Sequence, residues 1–184
     1  MNFMRDTGKI LLLAICLPLI ALACSKATPS HTALTHAPSI DLNRMTGEWH
    51  VVARISTLID REAHEMVVTF DVRPDAKMAI DWRFKDKNSG KQKSWALSAQ
   101  AGQGSETTFW KVSLFWPITF DFRVVEYSGD YSWIVIASPD RRYLWILARD
   151  KSINPNLLDG LMNRLELAEF DMKAIIREKL PSTH

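Results

Sequence analysis

The sequence predicts an all-β domain: an eight-stranded up-and-down antiparallel barrel with one C-terminal α-helix packed outside it. Three observations lead there. Apolar and polar residues alternate with period two in run after run between Gly47 and Arg149. Short turn-forming stretches separate the runs. A single stretch of 3.6-residue periodicity then follows, near the end of the chain. An open sheet of this length would leave unpaired edges, and closure into a barrel removes them.

The first strand lies in "DLNRMTGEWHVVARI", where Trp49, Val51, Ala53 and Ile55 share one face and His50 and Arg54 take the other. "VVTFDV" follows, with Val68, Phe70 and Val72 opposed by Thr69 and Asp71. After the turn "RPDAK", Met78, Ile80, Trp82 and Phe84 stand against Ala79, Asp81 and Arg83. "KNSGK" reverses the chain into a run with Trp95, Leu97 and Ala99 on one parity. "AGQGSE" leads to Trp110, Val112 and Leu114, and Trp116-Pro117 breaks that run. Phe120, Phe122 and Val124 come next, opposing Asp121 and Arg123. "YSGDY" precedes "YSWIVIA" and "SPDRR" precedes "YLWILAR"; both faces of these two runs are apolar, so their parity stays open. In the helix, Asn154 is a natural N-cap with Pro155 at the first helical position. Leu158, Leu161, Met162, Leu165 and Ala168 fall on one face. "FDMKAIIREKL" reads either as a short edge strand or as an extension of the helical region.

The chain begins with a different kind of segment. Arg5 and Lys9 precede an apolar run from Ile10 to Ile20, interrupted by Pro18 and ending in "ALAC" at 21–24. That run is short for a bilayer span, so residues 1–23 read as a cleaved export signal. Cys16 leaves with it, so Cys24 becomes the one cysteine of the mature chain and no internal disulfide forms. Residues 24–39 carry Pro, Ser and Thr without apolar periodicity and read as a flexible tether of roughly 20 Å. Residues 40–184 form the folded domain. With 184 residues and a net charge of +2, the chain has a sizeable core and no nucleic-acid footprint.

No catalytic constellation stands out. His50 alternates outward, and His64 sits in a charged loop with Asp60, Glu62 and Glu65, for which solvation is the commoner fate. His31 and His36 lie in the tether. Paired Cys/His ligands and glycine-rich phosphate loops are absent, so neither metal nor cofactor is expected.

"DLNRMTGEWHVVAR", "WKVSLFWPITFDFRVVE" and "PDRRYLWILAR" resemble the bacterial outer-membrane lipocalins of the Blc type, relatives of apolipoprotein D. Gly47-x-Trp49 matches the first lipocalin motif. Gly129-Asp130-Tyr131 matches the second, with Gly129 where Thr is usual, and Arg149 matches the third. The resemblance implies that Trp49 plugs the closed end of the barrel and that Arg149 lies across its ring. It also implies a ligand, a fatty acid or lysophospholipid, and a role in lipid storage or transport for the cell envelope. "ALAC" resembles a lipobox, with Ala21 where Leu is preferred, which implies acylation of Cys24. Ser25 after the cysteine implies passage to the outer membrane, on its periplasmic face. The other reading is an ordinary signal cut after Ala23. Relatives in the family form homodimers, so a second copy is among the implied partners.

The inward stripe is then expected to line a cavity: Val68, Phe70, Met78, Ile80, Trp82, Phe84, Trp95, Leu97, Trp110, Val112, Leu114, Phe122 and Val124. The same side chains could instead fill the barrel. With Trp49 at the closed end, loops 56–65, 85–93, 116–119 and 138–142 surround the mouth. Lys85, Lys87, Lys91 and Lys93 on one loop and Arg141 and Arg142 on another are expected to form a basic rim toward anionic headgroups or an anionic surface. A lipocalin-fold enzyme and a filled-barrel interaction module are the other functional classes the sequence leaves open.

Overall fold

The computed structural model describes residues 33–57, 60–115 and 117–179. The signal segment, Cys24 and Trp116 lie outside them.

The strands are β1 (Gly47–Ile55), β2 (Ala63–Val72), β3 (Lys77–Asp86), β4 (Gln92–Ala101), β5 (Phe109–Phe115), β6 (Ile118–Tyr127), β7 (Trp133–Ala137) and β8 (Leu144–Ala148). Each pairs antiparallel with the next, and β1 pairs with both β2 and β8, which closes the barrel. A short 3-10 turn, Leu42–Met45, leads into β1. The helix α1 (Pro155–Leu167) follows β8, and β9 (Ile175–Arg177) adds to the outer edge of β1. The stretch with two readings is therefore a strand, joined to α1 through a 3-10 turn at Met172–Ala174.

Asn154 caps α1 as its position suggested: its side-chain oxygen accepts from the backbone N–H of Asn156 at 2.9 Å and of Leu157 at 3.4 Å. Leu158, Leu161, Met162 and Leu165 are buried against the barrel's outer wall. This packing resolves the parity of β7 and β8. Ile134, Ile136, Trp145 and Leu147 point inward, while Val135, Ala137, Leu144, Ile146 and Ala148 pack outward under the helix. Both faces are apolar because both are covered.

The parity of β1 needs correction. A β-bulge puts one extra residue, Val52, between the pairs Val51↔Leu147 and Ala53↔Ile146. Beyond it the faces exchange. Trp49 and Val51 lie in the inner core, Val52, Ala53 and Ile55 lie under the helix, and Arg54 turns into the barrel with 0% exposure.

The predicted tether also ends earlier than residue 39. Ala37 N–H donates to the Val124 carbonyl at 3.1 Å and the Tyr127 hydroxyl donates to the Ser39 carbonyl at 3.0 Å. Leu34 packs against the core shared with α1. Residues 34–39 are laid along the barrel wall.

Candidate ligand-binding site

One end of the barrel is shut by the first motif. Trp49 is fully buried, and its indole N–H donates to the Met45 carbonyl at 2.8 Å. The Arg149 guanidinium carbon lies 3.9 Å from the centre of its ring. Arg149 also donates to three backbone carbonyls, those of Glu48 (2.9 Å), Arg44 (2.7 Å) and Thr46 (3.0 Å). Cation–π attraction and hydrogen bonding thus act on one group, which covers the ring from water. Gly47 is required beside it. Its φ is +101°, and a Cβ there would meet Arg149 Nη1 at 3.3 Å.

The second motif joins this floor. Tyr131, at φ +61°, accepts the Asp41 N–H on its hydroxyl at 2.7 Å, and Arg44 lies over its ring at 4.0 Å. Arg44 also donates to the carbonyls of Gly129 and Asp130. The Asp130 carboxylate serves the turn: bonds from Ser128 and Ser132 lower its pKa to about 2.

Above the floor is a cavity of about 330 Å³ with almost wholly apolar walls, large enough for one slim molecule. Val68, Phe70, Ile80, Trp82, Trp95, Leu97, Trp110, Val112, Leu114 and Phe122 line it. Three residues expected there do not. Met78 and Val124 are packed into the core below, and Phe84, though buried, borders a separate groove between β2 and β9. All three keep the inward parity and belong to the inner core cluster, packed beside the cavity rather than on its wall.

Sequence reasoning missed several wall residues. Ile136, Trp145 and Leu147 come from strands whose parity was open, and Tyr143 precedes the second of these. Phe120 shares the parity of Phe122, so its signal was present. Phe115 and Ile118 flank a turn, where alternation loses its meaning. Edge-to-face stacking orders the aromatic wall: Trp145 meets Trp82 at 5.2 Å and Phe122 at 5.1 Å between ring centres.

A polar cluster sits at the mouth end of this apolar wall. Asp60 and Thr57 line the cavity, and the Asp60 carboxylate accepts from the Thr57 hydroxyl at 2.6 Å and from Trp145 Nε1 at 3.4 Å. Behind it, Arg54 pairs with Asp60 at 3.7 Å and with Glu178, and donates to the Ala63 carbonyl at 2.7 Å. Burial lowers the Arg54 pKa and the neighbouring Asp60 opposes that shift. The Trp82 ring lines the cavity, and its buried indole nitrogen has no hydrogen-bond partner among the described residues.

The expected basic rim is largely neutralised. Lys85 pairs with Glu65 and Lys93 with Asp86, both at 2.6 Å, and Arg142 pairs with Asp140. Arg141 is not a rim residue. It is 8% exposed and its Nε donates to the Ala168 carbonyl at the end of α1. Lys87 and Lys91 are exposed on the β3–β4 turn.

Asp86 organises that turn. It accepts from Lys93 Nζ, and from the Ser89 N–H and hydroxyl at 2.8 and 2.9 Å. The Lys93 ammonium first, and then the Ser89 bonds, hold its carboxyl well below the usual carboxylate range. A depressed folded-state pKa stabilises the turn fully above about pH 4, and the contribution fades as pH falls toward the folded value. Protection factors of the amides across residues 86–91 should therefore fall in acid, and Asp86→Asn should remove that dependence. An unchanged acid response in the variant would contradict the assignment.

A closed eight-strand barrel, plugged at one end by an Arg-covered Trp and open at the other over an apolar cavity, is a lipocalin-type barrel. The chain belongs to the lipocalin-like domain family, which its sequence matches over residues 40–179. It is 26% identical over 169 residues to the outer membrane lipoprotein Blc of Citrobacter freundii, covering 91% of this chain and 94% of that one. To the protein of the same name from Escherichia coli K12 it is 25% identical, covering 89% and 92%. Among solved structures it resembles lobster apocrustacyanin A1, with a TM-score of 0.62 at 10% identity, covering 84% of this chain and 93% of that one. Insecticyanin from the tobacco hornworm Manduca sexta gives 0.60 at 12% identity, covering 83% and 87%. Likeness at these low identities concerns the fold.

Proposed function

We propose that this protein is an outer-membrane lipocalin, acylated on Cys24, which holds a single-chain amphiphile, a fatty acid or lysophospholipid, for storage or transport in envelope maintenance. The observation that carries the reading is the cavity, apolar from Trp110 near the floor to Phe120 at the mouth and sized for one chain. A tail fits the walls and a headgroup stays at the open end. Burying twelve methylenes contributes up to about 10 kcal/mol, from which association costs are subtracted. Micromolar affinity then needs no strong polar contact. The names of the bacterial relatives support the outer-membrane assignment.

Delipidated, refolded protein should bind a long-chain lysophospholipid and perturb emission from Trp82, Trp95 or Trp110, which line the cavity. Absence of binding below ~100 µM (weaker than about −5.5 kcal/mol), with no lipid on protein extracted from cells, would favour a filled barrel and remove the carrier function. Cys24→Ser should release the protein from the outer-membrane fraction. Retention after a salt wash would show that acylation is not the anchor, since a lipid chain and not charge is the proposed attachment.

A further inference from the structure

The wall of the cavity does not stop at the mouth. Trp95, Phe115, Ile118 and Phe120 all line the cavity, yet they are 39%, 59%, 39% and 40% exposed. They form a continuous apolar lip leading from the inside of the barrel to its outside. The strand register opens the wall at the same place. β4 pairs with β3 along its whole length, from Gln100↔Lys77 to Gln92↔Lys85. With β5 it pairs only from Ser98↔Ser113 to Ala101↔Trp110. Among the described residues, 92–97 of β4 have no ladder partner in β5, and Leu114 and Phe115 lie at the end of β5 beside that seam.

We infer that this lip is the face the protein lays on a lipid bilayer, and that the β4–β5 seam is the passage by which an acyl tail moves from bilayer to cavity. The inference rests on the proposed lipid-binding role. A tail crossing bulk water would expose every methylene on the way; a tail sliding through the seam exchanges one apolar surroundings for another. Exposed apolar side chains gathered on one side of a barrel mark a contact surface. The charges beside the lip select the occupant. Lys87 and Lys91 are exposed on the hairpin turn next to Trp95, and the acidic residue of that turn, Asp86, is held by Lys93. Two exposed cations on one side of an apolar lip suit an anionic bilayer.

The test adds one negative charge at either end of the barrel. The parent is the full chain with Cys24→Ser, so that no acyl anchor contributes. Pro117→Asp places a carboxylate on the exposed turn of the lip, at a residue that does not line the cavity. Gly129→Asp places one at the closed end, where an added Cβ meets nothing within 4 Å. Probes are vesicles of phosphatidylethanolamine and phosphatidylglycerol, with and without lysophospholipid. Pro117→Asp should lower vesicle partition and slow uptake of vesicle-borne lysophospholipid by at least about tenfold, and Gly129→Asp should leave both at the parent's level. Both variants should bind monomeric lysophospholipid from solution as the parent does. Phe115→Asp, a second change on the lip, should also lose partition. Equal partition by the variants at the two ends overturns the proposal. So does a lip-dependent dimer in sedimentation with no vesicle binding, which would give the surface to a second copy. Lip-dependent partition by chains that hold no lipid from solution would instead overturn the lipid-binding role and leave the docking face standing.

Discussion

Replacing Arg54 by Ala should destabilise the domain by about 3–5 kcal/mol, because it removes one member of a buried charged cluster and leaves the others unpaired. Arg54 is fully buried and faces Asp60, itself 3% exposed, together with Glu178 from the end of β9. Its head group also donates to the Ala63 carbonyl, so three segments lose their common partner on β1: the β1–β2 loop, the start of β2 and the residue after β9. Urea unfolding of the variant should show a large drop in midpoint. Adding Asp60→Asn should recover part of the loss, since one stranded charge is then removed, and this coupling is the diagnostic result. A loss below about 1 kcal/mol, typical of an exposed ion pair, would mean that water reaches the guanidinium. The cavity should respond as well. Asp60 lines it, so an uncompensated carboxylate should weaken a fatty acid more than a neutral long-chain alcohol.

Trp49→Ala should cost a similar amount, about 3–5 kcal/mol for a large aromatic lost from a packed floor. Arg149→Ala should cost less, about 2 kcal/mol, through lost cation–π attraction and three lost bonds from a charged donor. The two changes should be strongly non-additive, because the guanidinium's position over the ring has no purpose once the ring is gone. Gly47→Ala belongs to the same unit: it strains a backbone at φ +101° and crowds Arg149 Nη1. Equal losses at Trp49 and Arg149, or negligible ones, would contradict a plug covered by a lid.

Most of the barrel was legible in the sequence because period-two alternation is a physical record of one wet and one dry face. It was clear in β2, β3 and β6, where Thr69, Asp81 and Asp121 alternate with Phe70, Ile80 and Phe122. It failed in β7 and β8, where α1 dries the outer face and Ile134 and Val135 look alike in sequence while facing opposite ways. Trp145, Ile136 and Leu147 were lost from the candidate site for that reason alone. The rim failed differently. Lys85, Lys93 and Arg142 are basic in sequence, but Glu65, Asp86 and Asp140 stand beside them in space.

The sequence by itself determined the eight barrel strands, the order of the turns, the capped helix and the Gly47-x-Trp49 floor, since each depends on neighbours within a few residues or on a motif. Tertiary structure alone decided that Arg54 points into the barrel. The β1 bulge exists only in the pairing of Val51 and Ala53 with Leu147 and Ile146, and one unpaired residue exchanges every face beyond it. It likewise decided where the wall stays open, because the seam between β4 and β5 is a matter of register, which side-chain alternation within either strand does not encode.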